Sequence, residues 1–187
     1  MYKRQDNFLE VFRNFGSGGP KAEVSVAVPR SIALNLGVVS AGALVSGIRN
    51  DARLNTVSGD LIVDTLIGDL TVNSVSGDVQ VRGLTGSISA NSVSGDVAVT
   101  GTIRRATVDI VSGSTLVDAA GDVNAINVNS VSGGTTVRLD ESLAANYVVR
   151  SLSGRLLIDG VERGSSGINN YTLSLIHISE PTRLRRI

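Results

Sequence analysis

The chain has 187 residues, 17 basic and 17 acidic side chains, one histidine and no cysteine or tryptophan, and 42% of it is hydrophobic. That length suits one domain. The missing cysteines exclude a disulfide framework and thiolate metal sites, and the balanced charge shows no net basic excess of the kind that binds nucleic-acid phosphates.

Residues 1–5, "MYKRQ", and 173–187, "LSLIHISEPTRLRRI", do not match the sequence between them. Both resemble the in-frame translation of a transposase-type sequencing adapter and are expected to be an assembly artefact outside the fold. The only histidine, His177, and the basic residues Arg183, Arg185 and Arg186 go with them. Residues 6–172 then carry 12 basic and 16 acidic side chains, a net charge of −4. Such a segment is a poor binder of DNA or RNA. It contains no membrane span, and the natural flanks, where a signal peptide or anchor would sit, are expected to be missing.

Residues 6–20, "DNFLEVFRNFGSGGP", hold every phenylalanine of the chain, Phe8, Phe12 and Phe15. Their i, i+4, i+7 spacing predicts a short helix ended by the glycines, capping the first coil of a repeat region.

From residue 21 to 164 the chain repeats. Ser40, Ser58, Ser76, Ser94 and Ser112 stand 18 residues apart, each at a Ser-Gly or Ser-Ala-Gly corner, and Ser132 and Ser153 come next at 20 and 21. A fixed short period marks a solenoid. Each 18 divides into two nines, as in "LIVDTLIGD" (61–69) and "LTVNSVSGD" (70–78). The shared pattern is apolar, x, apolar, x, x, apolar, x, Gly, Asp or Ser. Two apolar residues two apart share one face of a strand, and Gly with Asp or Ser suits a corner.

The expected fold is therefore all-β: a single-domain β-solenoid of about seven 18-residue coils, a body of roughly 35 Å at about 4.8 Å per coil. The coils fall at 25–42, 43–60, 61–78, 79–96, 97–114, 115–134 and 135–155, with loops bulging in the last two, a partial coil at 156–164 and a C-terminal linker at 165–172. Stacking in register superposes Leu61, Val79 and Val97, and likewise Leu70, Ile88 and Ala106. Val75, Val93 and Val111 are expected to form a third apolar column inside the core. A sandwich of antiparallel strands is the rival, but its loops vary in length.

Three polar columns arise from the same register. Asn55, Asn73 and Asn91, continued by Asp109, can hydrogen-bond along the stack as a structural ladder. Ser58, Ser76 and Ser94 read as turn residues. Asp60, Asp78 and Asp96 bring like charges together, and a calcium ion between coils would relieve them. These three are the metal candidates. The nine-residue period is similar to the calcium-binding nonapeptide β-roll, but lacks its Gly-Gly-x-Gly-x-Asp.

No catalytic constellation stands out. There is no cysteine, no histidine outside the tail, no Gly-x-Ser-x-Gly elbow and no phosphate-binding glycine loop. Asp51 with Arg49 and Arg53, or Asp122 with Arg104 and Arg105, would be the residues of a polysaccharide-acting enzyme, yet such charges usually form a solvated face. The reading is no enzyme, and no cofactor beyond that calcium.

The repeated "TVSGDL", "SVSGDV" and "SVSGG" over residues 22–164 resemble a bacterial adhesin-like domain family of unknown function, found in envelope-associated proteins. The resemblance implies a β-solenoid at or beyond the cell envelope that binds or scaffolds, with a protein or glycan as partner. Arg104 and Arg105 replace the usual Gly and Asp of one corner and mark an exposed contact point. The second expectation is a structural protein whose solenoids self-associate end to end.

Overall fold

Backbone hydrogen bonding organises the described part of the chain into strands alone. The computed structural model describes residues 9–14, 21–26, 29–121, 123–139, 146–164 and 169–174. Among them there is no helix. Strands β1 (Leu9–Asn14) and β2 (Lys21–Val26) pair antiparallel in a two-stranded sheet of their own. The helical cap expected over 6–20 is thus a strand where it is described, while Phe8 and Phe15 lie outside the described residues. The phenylalanine spacing is compatible with both structures, because Phe8 and Phe12 share strand parity as well as a helix face. Val and Phe favour a pleated surface, and a pairing partner decides between the two.

The remaining fourteen strands form the solenoid sheet. They are β3 (Leu34–Ser40), β4 (Ala43–Ile48), β5 (Ala52–Ser58), β6 (Leu61–Ile67), β7 (Leu70–Ser76), β8 (Val79–Ser94), β9 (Val97–Ser112) and β10 (Thr115–Ala120). After these come β11 (Ala125–Ser132), β12 (Thr135–Leu139), β13 (Asn146–Ser153), β14 (Leu156–Ile158), β15 (Val161–Gly164) and β16 (Asn169–Ser174). One face stacks β3, β5, β7, the second halves of β8 and β9, β11 and β13, all parallel. The other stacks β4, β6, the first halves of β8 and β9, β10, β12 and β14, also parallel. The result is a β-solenoid of about six turns. The expected first coil at 25–42 contributes only β3, because residues up to Val26 belong to the separate sheet.

The register matches the repeat. Leu61, Val79 and Val97 are successive partners, as are Leu70, Ile88 and Ala106. Partners stay 18 apart until Val97↔Thr115, save for a local shift to 17 at Leu84↔Gly101 to Gly86↔Ile103, then Thr115 meets Thr135 and Thr135 meets Leu156. The extra residues therefore sit between β10 and β11 and between β12 and β13. Between the faces lies one continuous core, with Leu54, Val63, Leu66, Val72, Val81, Leu84 and Ile103 fully buried. Each coil alone has too little apolar surface to close a core, and stacking supplies the rest.

The last turn changes polarity. β14 turns through Asp159 and Gly160, with φ of 50° and 77°, into antiparallel β15. Such a two-residue turn with both residues left-handed is the preferred hairpin connection. β16 pairs antiparallel with β13. Residues 169–172, expected as linker, are thus part of this closing strand, which continues to Ser174.

Candidate functional site

The two nine-residue halves of a coil share a pattern but not a geometry. In β6, Leu61 and Val63 point inward, then Thr65 takes φ 59° and turns the chain so that Leu66 also points inward. Gly47 (φ 71°) and Gly83 (φ 63°) occupy the same position in neighbouring coils, ahead of buried Ile48 and Leu84. The strand of the other half, ahead of its corner glycine, has no left-handed residue. In β7, Leu70, Val72 and Ser74 point inward by plain alternation, and Asn73 and Val75 point out. Val75, Val93 and Val111 are consequently 50%, 51% and 48% exposed. This overturns their expected place in the core. The inward position beside them is held by Thr56, Ser74, Ser92, Ile110, Ser130 and Ser151.

The outcome is an unbroken apolar ladder on one outer face. Val39, Val57, Val75, Val93, Val111, Val131 and Leu152 occupy consecutive rungs, between 45% and 71% exposed. Two residues earlier runs the polar column, which starts after Gly37 of the first rung: Asn55, Asn73, Asn91, Asp109, Asn129 and Arg150. A groove of about 1120 Å³ lies along the two ladders. It crosses all seven rungs, about 29 Å at the usual interstrand spacing.

The asparagines form the expected ladder. Asn73 Nδ2 donates to Asn55 Oδ1 at 2.9 Å and Asn91 Nδ2 to Asn73 Oδ1 at 3.0 Å, always towards the preceding coil. Asn129 Nδ2 donates to Asp109 Oδ1 at 2.6 Å. Asp109 carries no donor of its own, so the amide chain is interrupted between Asn91 and Asp109. These bonds fix the amides along one wall of the groove.

The corners lie beside the ladder. Ser58, Ser76 and Ser94 stack in register and are exposed. The glycine after each sits directly against the coil below. A Cβ on Gly77, where φ is +123°, would overlap the carbonyl oxygen of Gly59, and Gly95 bears the same relation to Gly77. No other residue fits there.

Each metal candidate already has a partner. Asp60 Oδ1 accepts the amide of Asp78 at 3.1 Å, Asp78 Oδ1 that of Asp96 at 2.9 Å, and Asp96 Oδ1 that of Ser114 at 2.7 Å. The opposite corner repeats this from Asp51 to Asp69 and from Asp69 to Ser87. The recurring Asp is a staple between coils. Among the described residues, no three His, Cys, Asp or Glu side chains converge as a metal cluster.

Of the residues that polysaccharide chemistry would need, the described ones do not assemble. Asp51 is occupied by the Asp69 amide, and Arg49 and Arg53 are exposed with no ion pair to it among the described residues. Arg104 and Arg105 are exposed on the continuous strand β9, and Asp122 lies outside the described residues.

A family model, Toastrack DUF4097, matches residues 4–173. The chain belongs to the Toastrack family. This is a domain family of unknown function, and the match runs through every coil of the solenoid. No curated protein and no solved structure matches the chain. The Toastrack match brings no site residues, so the groove rests on geometry alone. Its signal in the sequence is small but real: Gly47 and Gly83 stand where the other half-repeat carries Ser or Thr.

Proposed function

We propose that this Toastrack domain is a non-enzymatic binding and scaffolding module of the bacterial cell envelope, adhesin-like in that one long face engages a partner. The carrying observation is the exposed ladder from Val39 to Leu152 beside its asparagine wall. Scattered surface valines need no explanation, but seven in line on consecutive rungs make a contiguous apolar patch, the mark of an interaction surface. Placement at the envelope is supported by the SVSGD-repeat resemblance. The amide-stapled aspartates support a structural use of those carboxylates, with calcium as an added ligand only.

End-to-end self-assembly is the second reading. The antiparallel strands β15 and β16 weigh against it, because they cover the edges on which another parallel coil would grow.

The test presents full-length protein to isolated cell-wall sacculi and envelope membrane vesicles, beside a Val75→Asp/Val93→Asp double variant. Binding by the native chain and its loss in an equally folded variant is the expected result. Equal binding by both, or none by the native chain, overturns the reading.

A further inference from the structure

We propose that the occupant of the groove is a second copy of this chain, lying face to face with the coil axes antiparallel. The inference rests on the reading of the groove as a binding surface: the second copy covers the ladder in the free protein and gives way to envelope material, which competes for the same residues.

Pitch is the first argument. The ladder repeats at about 4.8 Å, whereas a helix rises about 5.4 Å per turn and same-face residues of a strand are about 6.7 Å apart. Over seven rungs either would drift out of step. Another coil of this kind stays in register throughout, as identical side chains do between paired sheets.

Symmetry is the second. A two-fold axis along the strand direction at the fourth rung keeps every column opposite itself and reverses the rung order. Val93 then meets the same residue of the partner, Val75 meets Val111, Val57 meets Val131 and Val39 meets Leu152. Such an interface is isologous and closed. It sets apolar against apolar and amide against amide.

Charge is the third. The polar column holds one anion and one cation, Asp109 and Arg150, on the fifth and seventh rungs. The antiparallel arrangement places Asp109 opposite Asn73, an amide donor, and Arg150 opposite Gly37. A parallel arrangement that superposed the polar columns would instead oppose Asp109 to itself and Arg150 to itself. Area is the fourth. Seven half-exposed side chains offer on the order of 500 Å² per copy, so the pair with its flanking polar atoms reaches the lower range of specific interfaces.

Full-length protein is examined by sedimentation equilibrium over a wide concentration range. Single-cysteine variants are then treated with a bismaleimide spanning the roughly 10 Å between packed sheets. The chain has no native cysteine to interfere. The expected result is a reversible dimer, abolished by Val75→Asp/Val93→Asp without loss of thermal stability. Val93→Cys is expected to cross-link to itself. Val39→Cys is expected to cross-link only when mixed with Leu152→Cys, since its own copy is six rungs away. Self-linking of Val39→Cys as readily as Val93→Cys overturns the antiparallel arrangement. A monomer that takes up a fatty-acid probe, lost in the double variant, overturns the second copy in favour of an acyl chain. A monomer that still binds envelope material through Val75 and Val93 overturns the second copy and leaves the binding reading standing. If the double variant also binds unchanged, both fail.

Discussion

The main-chain amide of Asp96 donates a 2.9 Å hydrogen bond to Oδ1 of Asp78, 18 residues back and one coil away. The same bond recurs along both corners, so each aspartate satisfies a donor that the turn would otherwise leave to water. Asp78→Ala removes one staple and is expected to cost about 1 kcal/mol, a fall of roughly 2–4 °C in Tm for a chain of this size. Asp78→Asn keeps the acceptor and removes a charge between Asp60 and Asp96. Its Tm should equal or exceed that of the native chain. Thermal melts followed by circular dichroism decide; equal losses in both variants would show that the acceptor is not what matters.

Gly77→Ala is expected to be far more damaging. The added methyl group meets the Gly59 carbonyl, and the backbone at φ +123° resists any side chain. A loss of at least about 3 kcal/mol is expected from combined overlap and strain. Gly37→Ala is the control, since a Cβ there has nothing within 4 Å. Urea unfolding should separate the two plainly, and a Gly77→Ala protein as stable as the control would contradict the corner geometry.

Thr65 is a β-branched residue in the left-handed region, where neighbouring coils have Gly47 and Gly83. Left-handed strain of about 1–2 kcal/mol is partly offset by the entropy a glycine loses on folding. Thr65→Gly is expected to stabilise by about 0.5–1 kcal/mol and to leave Leu66 buried. A lowered Tm would mean that the threonine is held there by something stronger than local strain.

Beneath the groove floor the Ser130 and Ser151 hydroxyls are buried with no hydrogen-bond partner among the described residues. Ile110 holds the same column position without a hydroxyl and is 3% exposed. Ser130→Ala is expected to raise stability by up to about 1 kcal/mol, because a buried unpaired hydroxyl is costly. Chemical denaturation measures it, and a clear loss would reveal a partner for that hydroxyl.

Much of the architecture was legible in the residues. The 18-residue step, the Leu61–Val79–Val97 and Leu70–Ile88–Ala106 columns and the asparagine ladder all come from equal spacing, because stacked coils align identical positions. The direction of Val75 was not legible from spacing alone. The apolar, x, x, apolar interval admits two backbones: one with a left-handed residue that turns the third apolar residue inward, one without. Gly83 against Ser92 at equivalent positions holds the difference. Treating the two nines as equal hid it, and hid the groove with it. The N-terminal phenylalanines misled for another reason. Their spacing suits two structures, and pairing with Lys21–Val26 is a long-range property that local periodicity does not contain.

The reversed strands at the C-terminal end also bear on a hazard common to stacked parallel β-structure. A coil that ends in an exposed parallel edge is a seed on which identical chains can polymerise as amyloid does, each new rung copying the last. β15 and β16 run opposite to the strands they cover, so an incoming coil of the same sense would meet them antiparallel and not in the parallel pairing that joins the coils beneath. The mismatch makes that end a poor nucleus. A domain built on the repeat logic of a fibril can thereby remain a discrete particle at high local concentration.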